Sequence, residues 1–415
     1  MVVKRNKSFL HFFFLLLFTT FFYACGTTSQ IVNETAENTP LEETPQEVPS
    51  TKKHDKDTIT LLFAGDIMAH SVNYYITTYE KIWRDVRDVI SAQDLAFANI
   101  EAPIDTTKQA ASYPSFNMTR KYVQAAVDAG FDVFSLCNNH TNDQYKNGIL
   151  ETLKTTQAIT EYTKEQLGND IYFSGTKQKP DSSLSALTYN YFEANGWKIL
   201  FLPITELLNR PDASEYINFI KPTDESRKAF VKYAKELRQK NPCDLFIISI
   251  HTSEPEYTRN ITERQNQYYM DLLEAGADVV WANHAHIIKD RKLVVDTKNN
   301  RDKLIMYANG NTISGQRTKP ELTSKNPNGE RDNTGDGLFY IVTIHKEKDG
   351  STKIKKCEPY FITTYINTAN EYVIKPLNQD FVDYLYDVPR TNWAKYIERR
   401  IKINKEATKD YIEWQ

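Results

Sequence analysis

The chain has 415 residues, 40% of them hydrophobic and 12% aromatic, with 51 Lys+Arg against 54 Asp+Glu and a formal charge of −3. That length and apolar content fit one large or two medium folded domains and exclude wholesale disorder, and the near-neutral charge argues against a protein built to coat nucleic-acid phosphates. Four cysteines are too few for a disulfide scaffold.

Lys4, Arg5 and Lys7 precede an apolar stretch over residues 9–24 that is interrupted by His11, Thr19 and Thr20. A basic start, a short apolar middle and a small residue before the cut are the layout of a secretory signal, and the stretch falls short of the ~20 residues that cross a bilayer comfortably. It ends Tyr23-Ala24-Cys25-Gly26. This resembles a bacterial lipoprotein box, with Phe22 where Leu is usual, and implies a 1–24 signal peptide, acylation of Cys25 and export across the inner membrane to a lipid-anchored place in the cell envelope. An ordinary signal or uncleaved anchor, with Cys25 an incidental thiol, is the plainer alternative. Residues 25–57 are rich in Ser, Thr, Asn, Glu and Pro, as expected of a flexible linker.

Order is expected from Thr58. Short apolar runs at 58–64, 94–99, 132–136, 197–203, 244–250, 277–282 and 304–308 predict buried strands. Helical periodicity lies between them at 79–91, 121–129, 148–160, 225–240 and 262–275. Such alternation predicts an α/β core, with functional residues just after the strands. Paired strands are expected at 337–345 and 353–366 and amphipathic helices at 379–386 and 392–403. The resulting division is a main domain over 58–345 and a C-terminal extension over 346–415 whose strands and helices pack on the core.

Five polar clusters follow the apolar runs: Gly65-Asp66 with His70; Asn99-Ile100-Glu101-Ala102-Pro103; Asn138-Asn139-His140 with Asp143; His251 with Glu254, Glu256 and Tyr257; and Asn283-His284-Ala285-His286. The chain has eight histidines, and five of them, His70, His140, His251, His284 and His286, lie in these clusters. Imidazole, carboxylate and amide oxygen together suit divalent Mn, Fe or Zn, whereas an all-oxygen set would suit Mg or Ca. In extended chain His284 and His286 face the same side and can serve two ions ~4 Å apart.

Read singly, each residue has an ordinary structural role. Asp66 could cap a following helix, Glu101 could be a solvated loop carboxylate, Asn138 and Asn139 could be turn residues, and His140 or His251 could be hydrogen-bonded framework histidines. Glu254, Glu256 and Tyr257 could equally be surface.

Taken in order, Gly-Asp, Asn-x-Glu-x-Pro, Asn-Asn-His-x-x-Asp, His-x-x-x-x-Glu-Tyr, Gly-Ala-Asp-x-Val-x-x-x-His-x-His and Tyr-x-x-Gly-Asn resemble the bacterial capsule-synthesis family (poly-γ-glutamate synthesis, CapA/PgsA type) across residues 58–316. That family is related to the calcineurin-like metallophosphoesterases. The resemblance implies a four-layer α/β/β/α sandwich and two divalent ions. It implies Asp66 and His286 as ligands of one ion, Glu101 as the bridging carboxylate, and Asn139, His251 and His284 as ligands of the other. His70 is a further candidate ligand, although it follows Asp66 by four residues where phosphoesterases have Asp-x-His. His140 would be the catalytic acid, oriented by Asp143, and Asn311, Glu256 and Tyr257 would face substrate. The loop Tyr113-Pro114-Ser115-Phe116-Asn117 resembles a family loop near the site. Glu101 stands where phosphoesterases carry Asp, and His251-Thr252-Ser253 replaces the usual His-Trp-Gly.

The expected function is a metal-dependent hydrolase or phosphoesterase acting on a surface polymer or its precursor. Its partners would be the membrane and capsule synthase subunits, and no nucleic acid. The alternative from another class is a non-catalytic, membrane-tethered accessory or polymer-binding subunit; a secreted nuclease fits the cage but lacks a basic surface.

Overall fold

A computed structural model describes residues 55–408; the expected signal peptide, Cys25 and the expected linker up to residue 54 lie outside the described residues. The chain enters one sheet, leaves it for a second, and returns. The first sheet begins with β1 (Thr58–Ile67), β2 (Leu95–Ile100), β3 (Val133–Ser135) and β4 (Tyr172–Ser174). The second takes β5 (Asn190–Ala194), β6 (Trp197–Thr205), β7 (Leu245–His251), β8 (Val279–Asn283), β9 (Arg291–Asp296) and β10 (Arg301–Met306). The return is made by β11 (Asn311–Ile313), β12 (Asp336–Lys346), β13 (Thr352–Ile366) and β14 (Tyr372–Pro376). The first sheet is ordered β14-β13-β12-β1-β2-β3-β4 with β11 also on β1, and the second β5-β6-β7-β8-β10-β9. β1 to β4 are mutually parallel, as are β6, β7, β8 and β10.

The helices are α1 (Ser71–Tyr74), α2 (Glu80–Trp83), α3 (Arg87–Ser91), α4 (Arg120–Asp128), α5 (Tyr145–Leu167), α6 (Asp224–Lys240), α7 (Glu263–Glu274), α8 (Glu330–Asn333), α9 (Gln379–Asp387) and α10 (Thr391–Ala407). Thr119, Thr223, Thr262 and Asn378 start α4, α6, α7 and α9 by accepting a backbone N–H from the third residue on. Among the described residues no helix is long and apolar enough to cross a membrane.

Strand alternation explains the layering. Leu61 and Phe63 of β1 point between the sheets, where they meet Phe97, Phe201, Ile247 and Trp281. Their neighbours Leu62 and Ala64 point outward onto Trp83, Tyr122, Val123, Leu385 and Ile397 of the helices. On the far side Leu202, Ile248 and Val280 pack under Phe230 and Leu237 of α6 and Leu272 of α7. Both faces of each central strand are therefore buried, which is why these runs read as continuously apolar. The result is the expected four-layer α/β/β/α sandwich, with residues 346–408 continuing the first sheet through β13 and β14 and covering it with α9 and α10.

The expected helix over 79–91 is instead two short pieces, α2 and α3, with Val86 between them at φ −126°. Trp83, Val86 and Ile90 are all buried, so tertiary anchoring overrides the periodicity. α5 is longer than expected and runs to a left-handed Gly168 at φ 71°. Strands β4, β5, β9, β11 and β14 were not anticipated: they are short, and β5 and β9 alternate partly buried with exposed residues.

Candidate metal centre

The functional side chains arrive at the carboxyl ends of parallel strands: Asp66 from β1, Glu101 just past β2, Asn139 and His140 past β3, His251 at the end of β7, and His284 and His286 past β8. Because the two sheets face one another, these ends open on a common place. A Cβ on Gly65 would meet the Gly310 carbonyl, so β1 can approach the 309–311 turn closely enough for the Asp66 N–H to donate to that carbonyl at 3.1 Å. His284 and His286 adopt φ 97° and 54°, left-handed values that non-glycine residues adopt at a cost of about 1–3 kcal/mol each. The fold holds that strain at the point where both imidazoles turn inward.

Glu101 sits at the middle. It has no solvent exposure, and neither carboxylate oxygen has a hydrogen-bond partner. Its Oε1 lies 3.6 Å from His251 Nε2 and 3.7 Å from His286 Nε2. Burial first, and then the charges of Asp66 and Glu256, push its pKa well above the usual carboxylate value. This is not a solvated loop carboxylate.

On one side of Glu101, His251 Nε2 lies 2.9 Å from Asn139 Oδ1 and 3.1 Å from His284 Nδ1. Asn139 Nδ2 donates to Asn209 Oδ1 at 3.3 Å, which turns its oxygen toward His251. Burial, followed by the neighbouring imidazoles, lowers His251 well below its ordinary pKa and takes His284 down to about 3. Both rings are therefore neutral at physiological pH and keep a lone pair. With its proton on Nε2, neutral His251 can donate to Asn139 Oδ1 or His284 Nδ1, and a cation taking that proton's place would meet an amide oxygen and two imidazole nitrogens beside a bare carboxylate.

On the other side, Asp66 accepts Asn99 Nδ2 at 2.8 Å and the His284 N–H at 3.4 Å, and its Oδ2 lies 3.4 Å from His286 Nδ1. Asn311 donates through Nδ2 to the Thr334 carbonyl at 2.8 Å, so its Oδ1, 3.0 Å from His286 Nδ1, is the acceptor for that ring's N–H. His286 Nε2 is then the unprotonated atom, directed to Glu101. Burial lowers the pKa of His286, but the hydrogen bond and charge of Asp66 outweigh it and raise the pKa overall. Among the described residues, three triads bring ligand atoms within 4.8 Å of one another: Glu101/His251/His284, Asp66/Glu101/His286 and Glu256/His284/His286.

A cavity of about 650 Å³ opens beside this cluster. His140 lines it; its Nδ1 is 2.7 Å from Asp143 Oδ2, and that oxygen also accepts the Phe116 N–H at 2.7 Å. The carboxylate thus holds the Nδ1 proton and leaves Nε2 toward the cavity. Glu256, Tyr257 and the Tyr113–Ser115 loop also line it.

Two expected site residues sit elsewhere in the arrangement. His70 joins none of the triads: its Nδ1 accepts the Gly315 N–H at 3.0 Å and its ring packs edge-on against Phe116, so it forms cavity wall. Asn311, expected against substrate, is buried and spends its amide on His286, Thr334 and Gln316. Asp66 caps no helix, since α1 begins after His70. Asn209 was not anticipated. It links Asn139 to His140, with Nδ2 3.4 Å from His140 Nε2, and its signal was position alone, a polar residue in the loop after β6.

Residues 60–316 match the family model described as "Bacterial capsule synthesis protein PGA_cap". Among curated proteins the chain is 24% identical over 320 residues to the PGA biosynthesis protein CapA of Bacillus subtilis, covering 75% of this chain and 77% of that one. It is 24% identical over 281 residues to the capsule biosynthesis protein CapA of Bacillus anthracis, covering 65% of this chain and 63% of that one, less than two thirds of its length. Among solved structures, the NAD nucleotidase (NadN) of Haemophilus influenzae overlays with a TM-score of 0.41 and 12% identity, over 84% of this chain and 67% of that one.

Proposed function

The chain belongs to the bacterial capsule synthesis protein PGA_cap family, and from that premise we propose that it is a lipid-anchored cell-envelope hydrolase with a binuclear centre, acting on a surface polymer or its precursor. The observation that carries this reading is the bare, fully buried carboxylate of Glu101 between the Asn139, His251 and His284 donors on one side and Asp66 with His286 on the other. Asp66, Glu101 and His286 would hold one divalent ion, and Glu101, Asn139, His251 and His284 the other, of Mn, Fe or Zn type. When bound, such a pair supplies Lewis acidity, polarising a substrate oxygen and lowering the pKa of water.

The remaining work falls to the chain itself. Asp143 fixes the His140 tautomer and ring orientation, so that His140 Nε2 is placed to deliver a proton to a leaving oxygen. Asn209 holds Asn139 and His140 in register. Tyr113, Pro114 and Ser115 with Tyr257 form part of the cavity wall. The basic start and Cys25-Gly26 support a lipid anchor at the membrane, and the relatives' names support a part in capsule biosynthesis.

The full chain, purified and analysed for metal, is expected to hold about two Mn, Fe or Zn ions and to turn over p-nitrophenyl phosphate. His284→Ala should lower both, and His140→Ala should keep the metal and lose about 10²–10⁴-fold in turnover. Full metal and activity in His284→Ala would defeat the assignment of the cage; metal without turnover of any ester would favour an accessory subunit.

A further inference from the structure

The imidazoles of the site differ in what their second nitrogen meets. His286 Nδ1 has Asn311 Oδ1 at 3.0 Å, His140 Nδ1 has Asp143 Oδ2 at 2.7 Å, and His284 Nε2 has Glu256 Oε1 at 3.6 Å. His251 is the exception. Its Nε2 faces Asn139 and His284, while its Nδ1 is buried and has no hydrogen-bond partner among the described residues.

One buried amide beside it has the same deficit. Asn283 is 2% exposed, and neither its Nδ2 nor its Oδ1 has a partner among the described residues. Asn283 ends β8 as His251 ends β7, and the two are register partners in that parallel pair. Neighbouring strands run ~4.8 Å apart. Side chains alternate along a strand. Ile247 and Trp281 lie between the two sheets, so His251, four residues after Ile247, and Asn283, two after Trp281, face that same side. The Thr252 N–H donates to the Asn283 carbonyl at 3.4 Å, which carries the pairing to the very ends of the strands. Two unpartnered buried groups are therefore neighbours on one face.

Resting on the binuclear reading above, we propose that Asn283 is a positioning residue for His251, its Oδ1 accepting the Nδ1 proton that the ring carries when Nε2 faces a divalent ion. A neutral imidazole has a single proton. With that proton on Nε2 the ring donates to Asn139 or His284, and Nε2 has no lone pair to give. With it on Nδ1, Nε2 is bare, and a buried N–H is left that is costly without an acceptor. An acceptor at that point selects the ligating tautomer and fixes the ring plane. Asn311 does this for His286; Asn283 does it for His251.

The test reads metal affinity and bound geometry, not turnover. The full chain is titrated with Zn²⁺ against a chelator of known affinity. Asn283→Leu, close in size but lacking the acceptor, should weaken the binding of one of the two ions about tenfold or more. Asn283→Asp, which keeps an acceptor oxygen, should bind both ions as wild type does. A crystal structure of the Zn²⁺-loaded wild-type chain decides the matter even if a variant fails to fold: Asn283 Oδ1 should lie within about 3.2 Å of His251 Nδ1. Zn²⁺ held equally by Asn283→Leu, the same loss in Asn283→Asp, or a His251 Nδ1 bonded elsewhere would overturn the proposal. Any of those results in a chain that binds two ions defeats this inference alone; a wild-type chain that takes up no Zn²⁺ defeats the binuclear reading as well.

Discussion

At Glu101 burial and ligation oppose each other: a carboxylate with both oxygens bare is costly unless a cation faces it. Glu101→Gln removes the charge, so the chelator-treated variant should be more stable than chelated wild type by about 1–3 kcal/mol and should bind Mn²⁺ more weakly. Urea denaturation with and without metal checks both signs, and a variant that is destabilised when metal-free would contradict the account. His70 offers a pH experiment. Burial, with His286 and His140 secondary, lowers its pKa from 6.5 to about 3. A depressed folded pKa means that stability is full above pH 6.5 and is lost as pH falls toward 3, because the unfolded chain takes up the proton first. His70→Gln should therefore lose less stability than wild type between pH 6.5 and 4, measured as shifts in denaturation midpoint. Both residues were legible in the sequence as polar groups after strands. Their difference in role was not, because ring Nδ1 of His70 meets Gly315, 245 positions away.

Among the elements, β1 and the 309–313 segment interlock. Gly65→Ala would drive a methyl group into the backbone of Gly310, and backbone cannot swing aside as a side chain can. The expected loss is about 1–3 kcal/mol together with weaker metal binding, since Asp66 follows directly; an unchanged urea midpoint would remove this account of the Gly-Asp motif. The central strands were readable because burial on both faces leaves an unbroken apolar run. β5 and β9 were not: they lie at the two edges of the second sheet, where one face meets solvent and the apolar signal is diluted. The break between α2 and α3 escaped the periodicity because Trp83 and Ile90 are both drawn into the helix-covered face of the first sheet.

Across the molecule, the C-terminal segment is joined to the core by buried charge. Asp336 accepts Arg400 Nε at 2.7 Å, Arg317 Nη1 at 2.9 Å and Asn404 Nδ2 at 2.7 Å, all of them buried. Burial opposes its ionisation, but the two guanidinium groups outweigh that and hold its pKa below the ordinary value. Arg400→Met leaves Asp336 short of a counter-charge and should cost about 3–5 kcal/mol in calorimetric unfolding, whereas Lys232→Ala, which breaks an exposed pair at 3.9 Å, should change little. Equal effects from the two would refute the clasp. The sequence by itself determined the strand–helix alternation, the family resemblance and the order of the polar clusters, because each depends on neighbours within a few residues along the chain. Only the tertiary structure decided that Glu101 lies between two donor sets, that Asn311 serves His286, and that Asn209 belongs to the site. Those relations need two sheets packed face to face, and the facing atoms come from residues tens to hundreds of positions apart, a separation that local pattern does not encode.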